Sequence, residues 1–321
     1  MNLNMNLSII VPVFNLEKYI SRTLDSLLNI KCSFEYEIIV VNDGSTDRSE
    51  EIIAEYQKNN KCIKLFSIEN GGVSNARNFG LSHAMGKYIT FVDGDDTVEA
   101  DFFEVAINEL EQNGYDFVQG NFRIIDGETI SFAQRVYSDV ELNSMDDMLA
   151  SFFHPSNKKI HNTVWGKVFR GELLVNKTFD SDLKMSEDTK FMFDVIMCAK
   201  KVKLLSMFAI NYFLRDSSAI HNIDIDKINN KLKVIEYCKF QISNKEIIGY
   251  LNFRELNVLL ELYNELVLNG QSAKAVRKRI ISVNSKSINH LLNTKMKIKL
   301  NLVKYTSYIY NCFLVNKIGR D

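Results

Sequence analysis

Residues 87–96 read KYITFVDGDD, a short strand-like run that ends in three aspartates. The stretch up to residue 92 is rich in apolar, β-branched and aromatic side chains, which is typical of a buried β-strand. Asp93, Asp95 and Asp96 then emerge together, and carboxylates held this close repel one another. A divalent cation relieves that repulsion and bridges the acids to an anionic ligand such as a diphosphate. The alternative is a solvated acidic turn in which Asp96 caps the next helix.

Strands and helices alternate through the first 120 residues. The predicted strands are 7–14, 36–41, 62–68 and 87–92. The predicted helices are 16–29, one that begins at Asp47, 73–84 and 99–112. Asp47 and Glu50 have the spacing of a capping box. The alternation predicts an α/β fold with a parallel, doubly wound sheet that is covered on both faces.

Polar clusters follow all four predicted strands. They lie at 14–15, 42–45, 69–72 and 93–96. In doubly wound sheets, ligands bind beyond the carboxyl ends of the strands. Four polar clusters on one edge therefore predict a ligand site there.

The loops after the second and third strands contain candidate nucleotide contacts. Asp43 offers a carboxylate that accepts a hydrogen bond from the N3–H of uracil, or else it is a turn residue that caps a helix. Gly71 and Gly72 allow the backbone to approach a ligand closely, or they form only a tight turn. Asn75 and Arg77 lie at the start of the next helix. Arg77 either meets the base or the phosphates, or it pairs with a nearby acid.

The bulk composition is that of a globular protein with about two domains. The 321 residues are 46% hydrophobic and 25% charged. No apolar run approaches the roughly 20 residues that span a bilayer, and the N-terminus lacks the pattern of a signal peptide. The five cysteines are scattered and form no CxxC pair. We therefore expect a reduced, cytoplasmic chain without a zinc site or a disulfide framework.

The charge is unevenly distributed along the chain. Residues 271–321 contain eleven of the 39 Lys/Arg residues and one of the 40 acids, a net charge of +10 against −11 for the remainder. From about 222 onward the pattern is helical, and the basic helices carry aromatic and aliphatic residues. Such helices suit an anionic bilayer surface, and packing on the acidic part of the chain is an equal alternative. No nucleic-acid-binding module is recognisable, so we expect no nucleic-acid partner.

Four segments in order carry a family resemblance. SIIVPVFNLEKYISRTLDSLL, VVNDGSTDRS, NGGVSNARNFGL and YITFVDGDD resemble the signature of glycosyltransferase family 2. The resemblance is dense over 7–121 and extends to 122–220 through a few short sequence elements. It implies the GT-A fold, a Rossmann-like, mostly parallel sheet that binds a nucleotide-sugar. We expect a nucleotide-sugar-binding half at 1–121, an acceptor-binding half at 122–221 and a helical, basic C-terminal region at 222–321.

The resemblance also assigns roles to residues of the strand-end edge. The implied nucleotide-sugar-binding residues are Pro12, Val13, Phe14, Asn15, Asp43, Gly71, Asn75, Arg77, Asp93 and Gly94. The implied ligands of Mn²⁺ or Mg²⁺ are Asp95, Asp93 and His221, and His221 follows a segment that resembles a mobile loop beginning at Arg215. Phe14 replaces the more frequent Tyr and Gly94 replaces the more frequent Ser. Neither departure removes a metal ligand.

Two further elements resemble the acceptor side of the family. Met185–Asp188 resembles the family's Glu-Asp element, so Asp188 would be the base that deprotonates the acceptor hydroxyl. The alternative is a helix N-terminus with acids in its first turn. Glu187 would shape the acceptor side. Trp165 and Lys167 resemble a Trp-x-Lys element, in which Lys167 orders a loop and Trp165 either stacks on a sugar or lies in the core.

These features together imply an inverting hexosyl- or N-acetylhexosaminyltransferase. It would move a sugar from a UDP-sugar to a glycan acceptor, expected to be lipid-linked, at the inner face of the membrane during bacterial surface polysaccharide synthesis. One alternative is a nucleotidyltransferase, but residues 9–15 lack the glycine-rich phosphate loop that such chemistry requires. The other alternative is a non-catalytic nucleotide-binding or scaffold subunit, and the presence of Asp43, Asp93, Asp95 and Asp188 argues against it.

Overall fold

The computed structural model describes residues 5–132, 135–215, 224–283, 288–307, 310, 311 and 314. The strands are β1 (Leu7–Val13), β2 (Tyr36–Asp43), β3 (Ile63–Ile68), β4 (Tyr88–Phe91), β5 (Thr97–Val98), β6 (Phe117–Asp126), β7 (Thr129–Phe132), β8 (Val140–Leu142), β9 (Lys167–Arg170) and β10 (Val202–Phe213). The helices are α1 (Ile20–Leu28), α2 (Ser49–Asn59), α3 (Val73–His83), α4 (Phe102–Asn113), α5 (Met145–Phe153), α6 (Glu187–Ile196), α7 (Ile225–Gln241), α8 (Lys245–Leu268), α9 (Lys274–Ser282) and α10 (Thr294–Tyr305), and a 3-10 helix covers Gly171–Leu174.

The elements form two compact units. The first comprises Met1–Phe152, Lys158–Asp182 and Glu187–Ser218, and the second comprises Phe153–Asn157, Leu183–Ser186 and Ala219–Asp321. Residues on both sides of the expected boundary at 121 therefore lie in the first unit, where they share one sheet.

Strands β1 to β4 form a parallel half-sheet. Strand β1 pairs in parallel with both β2 and β4, and β2 pairs with β3, which gives the order β3-β2-β1-β4. Every residue of β1 is buried, and so is every residue of β2 after Tyr36. Burial on both faces explains why these strands are continuous apolar runs rather than alternating ones. The α/β class expected from the sequence is confirmed.

The rest of the sheet is mixed rather than mostly parallel. Strand β9 lies antiparallel between β4 and β6, and β6 pairs in parallel with β10. Strands β5 and β8 pair antiparallel with β10, and β7 pairs antiparallel with β6. A tight turn between Asp126 and Thr129 joins β6 to β7, so these two strands must run in opposite directions.

The capping box expected at the start of α2 is wrong. The helix begins at Ser49, and Asp47 accepts hydrogen bonds from the backbone N–H of Ser49 at 2.9 Å and of Glu17 at 3.0 Å. Glu50 does not return to Asp47 but accepts from Nδ2 of Asn42 at 3.0 Å. Asp47 therefore connects the chain after β1 to the beginning of α2.

The second unit is helical and has its own apolar core. Helices α7 to α10 bury residues such as Ile228, Leu256, Ile280 and Leu300 in one cluster. Asn244 caps α8, because its side chain accepts from the backbone N–H groups of residues 246 and 247. None of the described helices has the length and apolar character needed to cross a membrane.

Candidate active site

The polar strand ends meet at one edge of the parallel half-sheet. Val13 at the end of β1 is opposite Asn42 near the end of β2, and Asp43 is opposite Ile68 at the end of β3. Strand β4 also lies beside β1, and Asp93 follows it by two residues. Because parallel strands end at the same edge, the four polar clusters predicted from the sequence lie along one rim.

Asp43 organises the turn after β3. Its two carboxylate oxygens accept hydrogen bonds from the backbone N–H groups of Gly71 at 2.9 Å and of Gly72 at 2.8 Å. Gly72 has a φ of 86°, which an L side chain rarely adopts, and this conformation directs its N–H toward Asp43. Asn75 is exposed on the first turn of α3. The side chain of Asp43 is thus held in a fixed orientation on the rim.

The end of β1 presents two of its four candidate residues to the surface. Pro12 and Val13 are buried in the sheet, whereas the ring of Phe14 is 48% exposed. Asn15 has a φ of 53°, and its side-chain oxygen accepts from the backbone N–H of Thr46 at 2.8 Å. Phe14 is therefore an accessible aromatic ring next to the Asp43 loop.

Arg77 on α3 is the central cation of the site. It is 3% exposed. One terminal nitrogen donates to Asp93 at 2.8 Å, and the other donates to Asp188 at 2.7 Å and lies 3.4 Å from Glu187. Burial opposes its charge, but these three carboxylates raise the pKa of Arg77 above its ordinary value. In this structure Arg77 pairs with acids, which is the second of the two interpretations that the sequence allows.

Asp188 lies in the first turn of α6. Burial raises the pKa of Asp188 to about 7, the negative charges of Glu187 and Asp93 act in the same direction, and Arg77 opposes them. The backbone N–H of Val164 also donates to Asp188. A carboxyl with this pKa exchanges a proton near neutral pH, which is the property required of a general base.

Lys167 supports the loop that contacts Asp188. The side chain is completely buried, and its Nζ donates to the carbonyl of Thr163 at 2.7 Å. Burial lowers the pKa of Lys167 to about 7, and the nearby Asp188 opposes this shift. Because Thr163 immediately precedes Val164, the bond from Lys167 fixes the segment that donates to Asp188.

Trp165 belongs to the core rather than to an open sugar platform. It is 6% exposed, and its ring packs edge-on against Phe122 and stacks with Tyr212. The two aromatic neighbours cover the ring, so the core alternative describes Trp165 in this structure.

Asp95 and Asp96 lie in different environments. Arg215 forms an ion pair with the carboxylate of Asp95, and Arg22 donates to the Asp95 carbonyl at 2.7 Å. Asp96 accepts from the backbone N–H of Phe213 at 3.0 Å, and among the described residues its second oxygen has no hydrogen-bond partner. Burial raises the pKa of both acids, and the negative charge of Asp93 adds to the effect.

The expectation that Asp96 caps the following helix is wrong. Helix α4 begins at Phe102, and its N-cap position is Asp101. Burial against β10 places Asp96 instead where it fixes the end of that strand.

The loop has no room for a side chain at Gly94, between Asp93 and Asp95. A Cβ at this position would lie 2.8 Å from Cδ1 of Leu16 and 3.0 Å from the carbonyl oxygen of Pro12. The Gly94 carbonyl accepts from the hydroxyl of Thr23 at 2.9 Å. The acidic loop is therefore packed directly against β1 and α1.

The acidic rim fits a cation that also takes oxygens from its ligand. Among the described residues, no group of three or more His, Cys, Asp or Glu side chains is arranged to hold a metal ion. Mg²⁺ commonly binds one or two carboxylates together with substrate phosphates and water. Asp93 and Asp95 provide two carboxylates, and Asp96 provides a buried oxygen that has no hydrogen-bond partner among the described residues. Such a site requires Arg215 to leave Asp95.

A family model described as Glycosyl transferase family 2 matches residues 8–169, which is half of the chain. The chain belongs to glycosyl transferase family 2. The match contains the parallel half-sheet apart from Leu7, the Asp93–Asp96 segment and the Trp165–Lys167 element.

Two curated relatives of this family 2 chain come from Bacillus subtilis (strain 168). This chain is 36% identical over 200 residues to the uncharacterized glycosyltransferase EpsJ, and the alignment covers 62% of this chain and 58% of EpsJ. It is 32% identical over 233 residues to the minor teichoic acid biosynthesis protein GgaB, which covers 70% of this chain and 25% of GgaB. The chain thus spans less than two thirds of the length of either relative.

Solved structures show that the family 2 chain has the GT-A fold. Staphylococcus aureus TarS 1-349 in complex with UDP-GlcNAc matches with a TM-score of 0.72 and 20% identity, covering 98% of this chain and 92% of TarS 1-349. GalNAc-T7 with UDP, GalNAc and Mn²⁺ matches with a TM-score of 0.56 and 16% identity, covering 74% of this chain and 48% of GalNAc-T7.

One cation of the acidic rim in the family 2 chain, Arg22, was not predicted from the sequence. The guanidinium of Arg22 on α1 lies 3.4 Å from the ring centre of Phe213 and donates to the Asp95 carbonyl. An Arg on the solvent side of an amphipathic helix gives no signal in the sequence. His221, the third expected metal ligand, lies outside the described residues.

Proposed function

We propose that the protein is an inverting glycosyltransferase that moves a sugar from a UDP-sugar to a glycan acceptor. The observation that carries the proposal is the guanidinium of Arg77, which binds Asp93 at the strand-end rim and Asp188 on α6. It holds a donor-side acid and a candidate base in one cluster. Group transfer needs these two functions within the reach of a single sugar.

Asp188 is the proposed catalytic base. It takes the proton from the acceptor hydroxyl while that oxygen forms a bond to the anomeric carbon. The bond between the anomeric carbon and the diphosphate oxygen breaks, and UDP leaves with the bonding electrons. Attack opposite to the leaving group inverts the configuration. Glu187, which lies beside Asp188 and Arg77, is the proposed acceptor-side residue.

The donor is proposed to bind along the rim. The exposed ring of Phe14 is suited to stacking on a base, and the fixed carboxylate of Asp43 is suited to accept from the N3–H of uracil. The TarS complex with UDP-GlcNAc supports a UDP-sugar as donor.

Asp93 and Asp95 are the proposed ligands of Mn²⁺ or Mg²⁺. When bound there, the cation would stabilise the charge that develops on the departing UDP. Mn²⁺ in the GalNAc-T7 structure supports this choice of metal. Displacement of Arg215 from Asp95 is the rearrangement that this chain requires to accept it.

The proposed acceptor is a lipid-linked glycan at the cytoplasmic face of the membrane. The role of GgaB in teichoic acid biosynthesis, as its name states, supports a surface glycan. We also propose that residues 271–321, with eleven basic residues and one acid, contact the anionic membrane that presents this acceptor.

UDP release from a panel of UDP-sugars with Mn²⁺ and a glycan acceptor tests the proposal. Asp188→Asn keeps the shape of the side chain but removes the base, so the rate should fall by about 10²–10⁴-fold. UDP affinity measured by calorimetry should remain unchanged. Asp101→Asn is the matched control, because Asp101 is an exposed carboxylate that pairs with Lys31 at the surface. A wild-type protein that binds UDP but releases none from any donor would refute catalysis and favour a scaffold.

A further inference from the structure

The second unit contains a cavity on helix α10. Its volume is about 450 Å³. Two leucines, Leu292 and Leu300, form part of its lining, and the other lining side chains are those of Asn289, Lys297, Asn301, Lys304 and Tyr305. Four of the latter come from α10 at positions i, i+4, i+7 and i+8, so they lie on one face of the helix. The cavity therefore combines cationic and amide groups with an aromatic ring on one helix face.

Helix α10 is anchored at both ends, so this face has a defined geometry. The side chain of Asn293 accepts from the backbone N–H of Met296 at 2.9 Å and caps the N-terminus. At the other end, Arg277 of α9 donates to the carbonyls of Val303 at 2.9 Å and of Lys304 at 2.6 Å. The two contacts hold the lysine-bearing face in place from within the unit.

The charge around the cavity is positive, and Lys297 and Lys304 contribute it. Arg279 pairs with Glu236 and Glu255. Within the described part of the chain, Lys297 has no carboxylate at ion-pair distance. Residues 271–321 contain no acid before Asp321. An anion in the cavity would therefore meet Lys297 without competing with a carboxylate of the described residues at ion-pair distance.

Helix α10 also carries exposed apolar side chains. Ile298 is 56% exposed and Tyr305 is 79% exposed. They are seven residues apart and so project from the same side of α10. Exposed aliphatic and aromatic side chains next to lysines on one helix face are the composition of a helix that lies in a membrane interface.

We propose that the α10 cavity binds the phosphate of an anionic phospholipid headgroup, with Lys297 as its cationic ligand and Ile298 and Tyr305 entering the adjacent interface. The inference deepens the membrane contact proposed above and rests on it. Membrane contact would then depend on one defined site and not on a diffuse basic surface. Lys297 would contribute more to membrane affinity than the neighbouring lysines.

Sedimentation with vesicles tests the site in the full-length protein. The wild type should bind vesicles that contain phosphatidylglycerol and should bind pure phosphatidylcholine vesicles weakly. One surface basic residue contributes about fivefold to membrane affinity, so Lys297→Glu, which also introduces repulsion, should lower the partition coefficient by about tenfold or more. Ile298→Ser should lower it by several-fold without any change in charge.

Lys295→Glu is the matched control. It makes the same change in net charge on the same helix, but Lys295 does not line the cavity. Its effect should be clearly smaller than that of Lys297→Glu, because Lys295 contributes only through the general attraction between basic residues and the anionic surface. Equal losses for Lys295→Glu and Lys297→Glu would overturn the proposal in favour of diffuse attraction. Absence of wild-type binding would overturn it as well.

Two further measurements separate the remaining outcomes. Inorganic phosphate at millimolar concentration should compete weakly, and complete displacement at that concentration would identify a free-phosphate site instead of a lipid site. Thermal unfolding of each variant should match the wild type. UDP release without vesicles should persist in Lys297→Glu. A wild-type protein that releases no UDP would refute the transferase proposal, whatever the vesicle result.

Discussion

Replacing Arg77 with methionine should destabilise the first unit severely. The guanidinium is buried and is the shared partner of Asp93, Glu187 and Asp188. Removing one partner of a buried ion pair costs about 3–5 kcal/mol, because it leaves an uncompensated charge. Arg77→Met leaves three carboxylates facing one another, so we expect a loss at the upper end of that range at alkaline pH.

The loss of folding stability should depend on pH, and the contacts of Asp188 determine whether the loss grows or shrinks as pH rises. The pKa of Asp188, already raised to about 7, should rise further without Arg77. A carboxyl whose pKa is raised in the folded state favours folding while it is protonated, and that contribution is lost as pH rises through its folded pKa. The deficit of Arg77→Met should therefore grow between pH 5.5 and pH 8.5, by about 1.4 kcal/mol for each unit of additional shift.

Urea unfolding monitored by the fluorescence of Trp165 provides the assay. Trp165 is the single tryptophan and is packed in the core of the first unit, so its emission reports unfolding of that unit. Arg48→Met is the control, because Arg48 pairs with Glu51 through highly exposed side chains and its loss should not be measurable. An Arg77→Met variant that unfolds at the wild-type midpoint, or that shows the same deficit at both pH values, would refute this role of Arg77.

Three other predictions concern the rim and its support. The transfer rate should rise with pH and level off above a midpoint near 7, because Asp188 acts as a base only when it is ionised; a rate that is flat from pH 6 to 8 would exclude it. Lys64→Met should cost about 1.5–3 kcal/mol at pH 7, since it removes a charged hydrogen bond to the buried Glu37. The loss should shrink on acidification, because the pKa of Glu37 is lowered in the fold and its contribution is present only while it is ionised; urea unfolding at pH 7 and pH 4 checks this. Gly72→Ala should cost about 1–3 kcal/mol in backbone strain alone, since its φ is positive and a Cβ there would meet no neighbour within 4 Å. It should also weaken UDP binding measured by calorimetry, because the Gly72 N–H orients Asp43, and unchanged affinity would count against that role.

The parallel half-sheet could be predicted because the sequence patterns that define it lie within short segments. Strands β1 to β4 are apolar runs that end in polar clusters, and the rule that parallel strands end together places those clusters on one edge. The boundaries shifted by a few residues, most at α1, which begins at Ile20 rather than at residue 16. The mixed order of β9, β6 and β10 depends on pairing between distant segments, for which periodicity gives no signal.

The individual acids of the rim could be predicted from the sequence, but the cations that pair with them could not. Arg77 and Asp188 are 111 residues apart, and no spacing rule connects them. Pro12 and Val13 lie at a strand end as expected, yet the sequence does not show that only Phe14 and Asn15 reach the surface. For Trp165 and Arg77 the sequence offered two readings each, and only tertiary packing distinguishes between them.

The packing of Gly94 against Pro12 and Leu16 has a consequence for motion. The backbone between Asp93 and Asp95 cannot move outward without opening the sheet, because Thr23 and Arg22 also hold its carbonyls. The entropy of ordering this loop is thus lost when the chain folds and not when a ligand arrives. Slow hydrogen exchange should follow at the Asp96 amide, which donates to the Asp93 carbonyl at 3.1 Å, with a protection close to that of β1 rather than that of an ordinary loop.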